Sequence, residues 1–304
     1  MKNPRTFAIA FALAAFTLSM SAAAQANVGT VVVAHGGDSL WNAYVVDVAK
    51  QAHTGGPVAV SFLMGAGAAK TRFQDQVAGL VKQGATQIVV VPLLVSSHSG
   101  HYDQIRYLAG EQVTLDTTMM HHLHMAGIER VTNSVPMRVT PALDDAAEMA
   151  HVLADRGRAL AKSVGAAPKD RALLIVGHGP NSAEDYASWM QSLRPVADSV
   201  RAWTGFRDVR VELVRDDAPA AVRAEAVLRT RELIDLQSKL TGKDVLVIPV
   251  LVSKGSVSRD KVPNDIKGTR SVYAGEPLLP HPGIARWIES SVRAASKPAT
   301  ASAQ

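Results

Sequence analysis

The sequence predicts an α/β protein of two tandem, duplicated doubly wound domains with parallel sheets, and three observations predict it. First, short runs rich in Val, Ile and Leu alternate with longer amphipathic stretches, the pattern of parallel strands buried on both faces and joined by helices. Second, Val31-Val32-Val33-Ala34-His35-Gly36-Gly37 returns as Leu174-Ile175-Val176-Gly177-His178-Gly179-Pro180. Third, Gln87-Ile88-Val89-Val90-Val91-Pro92-Leu93-Leu94-Val95-Ser96 returns as Val245-Leu246-Val247-Ile248-Pro249-Val250-Leu251-Val252-Ser253, and a weaker match around Pro141 and Pro277 follows in the same order. Ordered recurrence of this kind marks an internal duplication.

Taken in chain order, the first half is expected to hold strands over 29–34, 58–63, 87–91 and 134–139, with helices over 40–52, 69–83 and 144–161. The second half is expected to hold strands over 172–177, 209–214, 244–249 and 271–273, with helices over 183–203, 219–240 and 283–295. Asp144-Asp145, and Ser182 with Glu184 and Asp185, read as helix starts, where a capping oxygen and acidic groups meet the positive end of the helix dipole. The domains run over 27–166 and 167–298, with a disordered tail over 299–304. The stretch from Pro92 to Pro141 is much longer than that from Pro249 to Pro277, so the first half carries an insertion. It contains His121, His122 and His124 and reads as a solvated loop. The four tryptophans, Trp41, Trp189, Trp203 and Trp287, fall in helical patterns and read as packing residues.

Residues 1–26 combine Lys2 and Arg5, an apolar run from Phe7 to Met20, and the small residues Ala22, Ala24 and Ala26. This is the layout of a cleaved secretory signal peptide, so the expected location is periplasmic or secreted, with no membrane attachment after cleavage. The chain has no cysteine, which excludes disulfides, thiolate metal sites and a lipid-anchored cysteine. Any metal must be held by His, Asp or Glu. The formal charge is +5 with basic residues scattered among acids, so no nucleic-acid partner is expected, and a small carboxylate-bearing molecule suits the surplus. No Walker or G-x-G-x-x-G loop follows a strand, and Ser96 and Ser97 lack the G-x-S-x-G setting of a serine hydrolase.

In doubly wound sheets the site lies beyond the carboxyl ends of the strands. His35 and His178 each end the first strand of their half, and the strand at Pro92 exits into Ser96-Ser97-His98-Ser99-Gly100-His101-Tyr102-Asp103. A lone His-Gly is explained by turn chemistry; its recurrence beside further loop imidazoles points instead to a metal site. Neutral imidazole binds Co, Ni, Zn and Fe and also accepts protons near neutrality.

An apolar strand ending in His-Gly, followed by a strand, Pro, apolar residues and a histidine-bearing loop, resembles the sirohydrochlorin cobaltochelatase family (CbiX type) among the class II tetrapyrrole metal chelatases. The resemblance covers both halves. It implies a class II chelatase-like fold and insertion of a divalent ion, cobalt, iron or nickel, into a sirohydrochlorin-type tetrapyrrole. It also implies one histidine after the first strand, matched by His35, and one in the later loop, matched by either His98 or His101. An ungapped match from Pro92 places Gly100 at the family's loop histidine. The carboxylate often found after the family's second strand is absent from Phe62-Leu63-Met64-Gly65, whereas the second half offers Arg215-Asp216-Asp217 but has Lys254-Gly255-Ser256-Val257-Ser258 in place of a loop histidine.

The expected metal-binding residues are therefore His35, His98, His101 and His178. The first three are also the candidates for relaying the two pyrrole protons. Arg72, Arg106 and Lys254 are the candidate partners for macrocycle carboxylates. Two functions are expected on this scaffold: an exported chelatase of the lyase type, or an exported carrier that binds metal or tetrapyrrole without turnover.

Overall fold

The computed structural model describes residues 27–132 and 135–297; the expected signal peptide and the expected tail lie outside the described residues. The first half runs β1 (Val28–Ala34), α1 (Ser39–Gln51), β2 (Val58–Phe62), α2 (Phe73–Lys82), β3 (Gln87–Leu93), α3 (Gly100–Leu108), α4 (Thr117–Ala126), β4 (Met137–Val139) and α5 (Ala147–Ser163). The second runs β5 (Ala172–Gly177), α6 (Ala183–Thr204), β6 (Asp208–Leu213), α7 (Ala220–Thr241), β7 (Val245–Val250), α8 (Val262–Asp265), β8 (Ser271–Tyr273) and α9 (Pro282–Ala295). Among the described residues, no helix is long and apolar enough to cross a membrane.

Each half forms a four-stranded sheet, ordered β2-β1-β3-β4 and β6-β5-β7-β8, with every pairing parallel. The direction of winding reverses between β1 and β3, and again between β5 and β7. At such a switch point the loops leaving neighbouring strands diverge and open a crevice.

The His-Gly turn is built alike in both halves. Met64 N donates to His35 O at 2.9 Å, and Arg215 N donates to His178 O at 2.6 Å. Gly36 has φ +95°, and a Cβ there would stand 2.2 Å from Met64 O. Both the backbone conformation and the close approach thus demand glycine. The third repeat match also takes the same role in each half. Leu143 N donates to Leu94 O and Leu278 N to Leu251 O, tying the chain after each last strand to the loop after the central one.

Two local expectations are corrected. The insertion folds as α3 and α4, so His121, His122 and His124 stand on a helix, capped by Asp116 at its start and by Gly127 in the left-handed conformation at its end. Asp144 does not start α5. Its carboxylate instead accepts from Ser97 N at 2.7 Å and Ser97 Oγ at 2.6 Å, bracing the β3 exit loop, and the helix begins after it. Ser182 does cap α6: its Oγ accepts from Asp185 N and donates to Asp185 Oδ2.

The halves share two helices. α5 packs on α6 and β7 of the second half, while α9 packs on α1 and β3 of the first and on α5. Arg156 of α5 donates to Pro277 O at 3.0 Å and Pro280 O at 2.7 Å, and Arg138 donates to Ala295 O at 2.9 Å. One apolar core accordingly runs through both sheets, with Val32, Val89, Leu153, Ile175, Ile248 and Ile288 all fully buried within it. Ile288→Ala should therefore destabilise the protein by about 2–5 kcal/mol while leaving a single unfolding transition, because its cavity lies in the core common to both halves. Urea melts followed by fluorescence and circular dichroism check this; two separated transitions would contradict it.

Candidate metal centre

The switch point of the first sheet assembles two imidazoles. His35 leaves β1, and His101 occupies the first turn of α3, which Ser99 caps by accepting from Tyr102 N. The rings stand edge to face with centroids 4.7 Å apart. His98 does not join them: its side chain is exposed, and its carbonyl accepts from Trp189 Nε1 of the second half at 2.6 Å. Of the two loop histidines left open by the sequence, the fold brings only His101 to His35.

The hydrogen bonds set the tautomers. His35 Nδ1 lies 2.7 Å from Gly36 O, which can only accept, so Nδ1 carries the proton. His101 Nδ1 lies 2.8 Å from Gln104 Oε1. The amide of Gln104 is oriented by its own donation to Met119 O at 2.7 Å, so His101 Nδ1 must be the donor. Both rings thus keep a lone pair on Nε2, the arrangement by which an outer partner orients a metal-binding imidazole. Burial holds His35 below its ordinary pKa. It pushes His101 down to about 4, with the neighbouring His35 adding to the shift. Near neutral pH this is a pair of uncharged donors.

The second switch point repeats the backbone and inverts the charge. His178 Nδ1 lies 2.6 Å from Gly179 O and 3.3 Å from Asp216 Oδ1, while Nε2 lies 3.1 Å from Asp217 Oδ2. Burial opposes charge on His178, but the hydrogen bond to Asp217 and the charges of Asp216 and Asp217 outweigh it and raise the pKa. Asp217 is held down at about 2, chiefly by its bond to His178. Asp216, almost fully buried, is paired with Lys261. Among the described residues, His178, Asp216 and Asp217 form the one trio whose candidate ligand atoms all lie within 4.8 Å of one another.

The two clusters, one from each half, lie close enough to act on each other. The charges of His178 and Asp217 act on His35, and that of His35 acts on Asp217. Arg259 reaches across to Asp38, at the start of α1, at 3.3 Å. Of the candidate cations, Arg72 is paired with Asp75 at 2.8 Å, Arg106 with Glu111 at 3.9 Å and Lys254 with Glu276 at 3.1 Å. Only Lys254 lies in a loop leaving a switch-point strand. Trp41, Trp189 and Trp287 pack as expected. Trp203, by contrast, is 40% exposed and stacks on His151 with centroids 4.0 Å apart.

Sequence reasoning did not select Asp217, Lys261 or Arg215. The acids were visible after the second strand, but their partnership with His178 depends on the turn. Arg215 has φ +48° and donates to Pro180 O, clamping the His178 loop in a way no spacing rule announces.

Two titrations follow. His101 should titrate in NMR near pH 4, against about 6.5 for free imidazole. Because the unfolded chain binds that proton first, this residue's contribution to stability is present above pH 6.5 and lost as pH falls toward 4. A His101→Asn variant should show a flatter loss of stability over that range in urea melts. In Asp217→Asn the largest interaction raising His178 disappears, so the His178 pKa should fall, again read by NMR.

Residues 29–160 match the family CbiX. Among solved structures, SirB from Bacillus subtilis with Fe3+ superposes with a TM-score of 0.59 at 16% identity, over 89% of this chain and 96% of that one. The sirohydrochlorin chelatase SirB from Bacillus subtilis subspecies spizizenii in complex with cobalt gives 0.59 at 14% identity, over 89% and 95%. DR2241 from Deinococcus radiodurans, a multi-domain protein with structural similarity to chelatases, gives 0.58 at 18% identity, over 90% of this chain and 56% of that one. At these identities the likeness is one of fold. No curated protein sequence matches the chain. The first repeat thus matches the CbiX family, and the two-sheet fold is shared with the sirohydrochlorin chelatases along almost the whole described chain.

Proposed function

We propose that the protein inserts a divalent ion, cobalt, iron or nickel, into a sirohydrochlorin-type tetrapyrrole held in the cleft between its halves. The observation that carries this reading is the pair of neutral imidazoles His35 and His101, each with its Nδ1 proton committed and its Nε2 lone pair free. Insertion makes two opposed demands: the ion must be held and then released, and two pyrrole N–H protons must be taken up. Two uncharged donors leave most of the ion's coordination positions open to the macrocycle nitrogens, as catalytic metal sites require.

Protons have a destination across the cleft. An ion at His35 and His101 adds positive charge opposite His178, which favours loss of the His178 proton to solvent. The Nε2 lone pair, released from Asp217 by that loss, can then accept one pyrrole proton as general base and pass it to solvent before taking the second. Lys254 and Arg259 lie on the second half's rim, where they suit the carboxylates of the macrocycle. Residues 1–26 support export, so we place the reaction in the periplasm or outside the cell.

The charged trio His178, Asp216 and Asp217 favours a second reading, an exported carrier, since carboxylates would retain an ion more firmly than imidazoles alone. The purified protein mixed with Co2+ and sirohydrochlorin, followed by the macrocycle's visible spectrum, separates the two. A chelatase shows multiple-turnover insertion that His101→Ala lowers by more than about 100-fold, beyond the 10–100-fold typical of outer-shell partners, whereas the exposed His98→Ala leaves it unchanged. Stoichiometric binding without acceleration would establish the carrier.

A further inference from the structure

The insertion that distinguishes the first half from the second ends on α4, whose histidines are not equivalent. His121 and His124 are exposed, while Leu123 between them is fully buried and anchors the helix. His122 is part-buried, and its Nδ1 is enclosed with no hydrogen-bond partner among the described residues. A buried, unsatisfied imidazole nitrogen is costly, and such groups call for a functional reason.

Where α4 sits supplies the reason. Met119 lies against Gly100, where an added Cβ would be 2.8 Å from its Sδ, and the carbonyl of Met119 holds Gln104, which holds His101. His122 is one turn further along the same face of the helix as Met119. Its charge acts on both His101 and His35. The half that carries this helix is also the half with Leu63 and Met64, rather than a carboxylate, after its second strand.

We propose that His122 is a third imidazole ligand, which turns in from α4 to complete a three-histidine site for the incoming ion with His35 and His101. This rests on reading His35 and His101 as the ion's holders. The three donors are not within 4.8 Å of one another in this structure, so His122 must rotate to close on the ion, and its unbonded Nδ1 leaves that rotation free of any hydrogen bond to break. A ligand that swings in can also swing out, freeing a coordination position when the macrocycle nitrogens arrive.

Cobalt(II) alone, titrated into the full chain and followed by its visible absorption, tests the proposal. His122→Ala should weaken binding by about tenfold or more, at least the effect of losing an outer-shell partner, with His121→Ala and His124→Ala unchanged. His122→Cys gives an independent signature: the chain has no cysteine of its own, so a thiolate-to-cobalt charge-transfer band in the near ultraviolet can arise only from position 122. That band decides the matter even if the alanine variant proves less stable. Wild-type affinity in His122→Ala with no such band in His122→Cys, while His101→Ala loses cobalt, would overturn this proposal and leave the chelatase site standing. Cobalt binding indifferent to His101→Ala would overturn both.

Discussion

The reciprocal packing of α5 and α9 governs the rest of the molecule. Each helix completes the half it does not follow in sequence: α5 lies over β7, and α9 lies over β3 and α1. The resulting core joins Val32 and Val89 of one sheet to Ile175 and Ile248 of the other without a polar break. Burial of this kind is non-directional, but a close-packed interior resists small displacements. The two switch points are thereby held at a set separation, and the loops leaving them touch. Trp189 bonding to His98 O and Arg259 reaching Asp38 are consequences of that placement, not its cause, because a few polar contacts at a rim are worth little beside a shared core.

Within that frame, one duplicated turn yields two chemistries. His35 and His178 leave their strands in the same way, each with Nδ1 bound to the carbonyl of the glycine that follows. What differs is the residue set after the neighbouring strand. Leu63 and Met64 offer His35 no charge to pair with, so burial makes it a neutral donor. Asp216 and Asp217 flank His178 with acid and raise its pKa. Duplication supplied the geometry, and divergence after the second strand of each half gave one copy an unpaired neutral imidazole and the other an imidazole paired with acids.

Periodicity made the sheets legible. The strands over 172–177 and 271–273 match β5 and β8 to the residue, because short runs of strand-forming residues bounded by turn residues leave little ambiguity. His35 and His178 were legible because the repeat placed them at equivalent strand ends. The choice between His98 and His101 was not, since both stand in one loop and only the cap at Ser99 decides which is turned toward His35. The helices α3 and α4 escaped for a different reason. α3 is short, and the histidine and methionine cluster of α4 lacks a clear apolar stripe; its fold comes from Asp116, Gly127 and the burial of Leu123. The exchange of α5 and α9 leaves no local trace, because an amphipathic helix records that it has a buried face but not which sheet covers it.

The insertion is therefore best understood as part of the first half's site. His101 owes its tautomer to Gln104, and Gln104, fully buried, owes its orientation to a carbonyl on α4. Without that carbonyl the amide could turn and present its NH2 to His101 Nδ1, moving the ring proton to Nε2 and removing its lone pair. The second half has no equivalent of α4, and at the position of α3 it has the helical turn Val257–Lys261 that brings Lys261 to Asp216. One half uses the extra chain to hold an imidazole neutral and correctly protonated, and the other uses the corresponding chain to neutralise a buried acid. The contrast in charge between the two sides of the cleft thus begins in the elements that follow β3 and β7, beyond the duplicated strands.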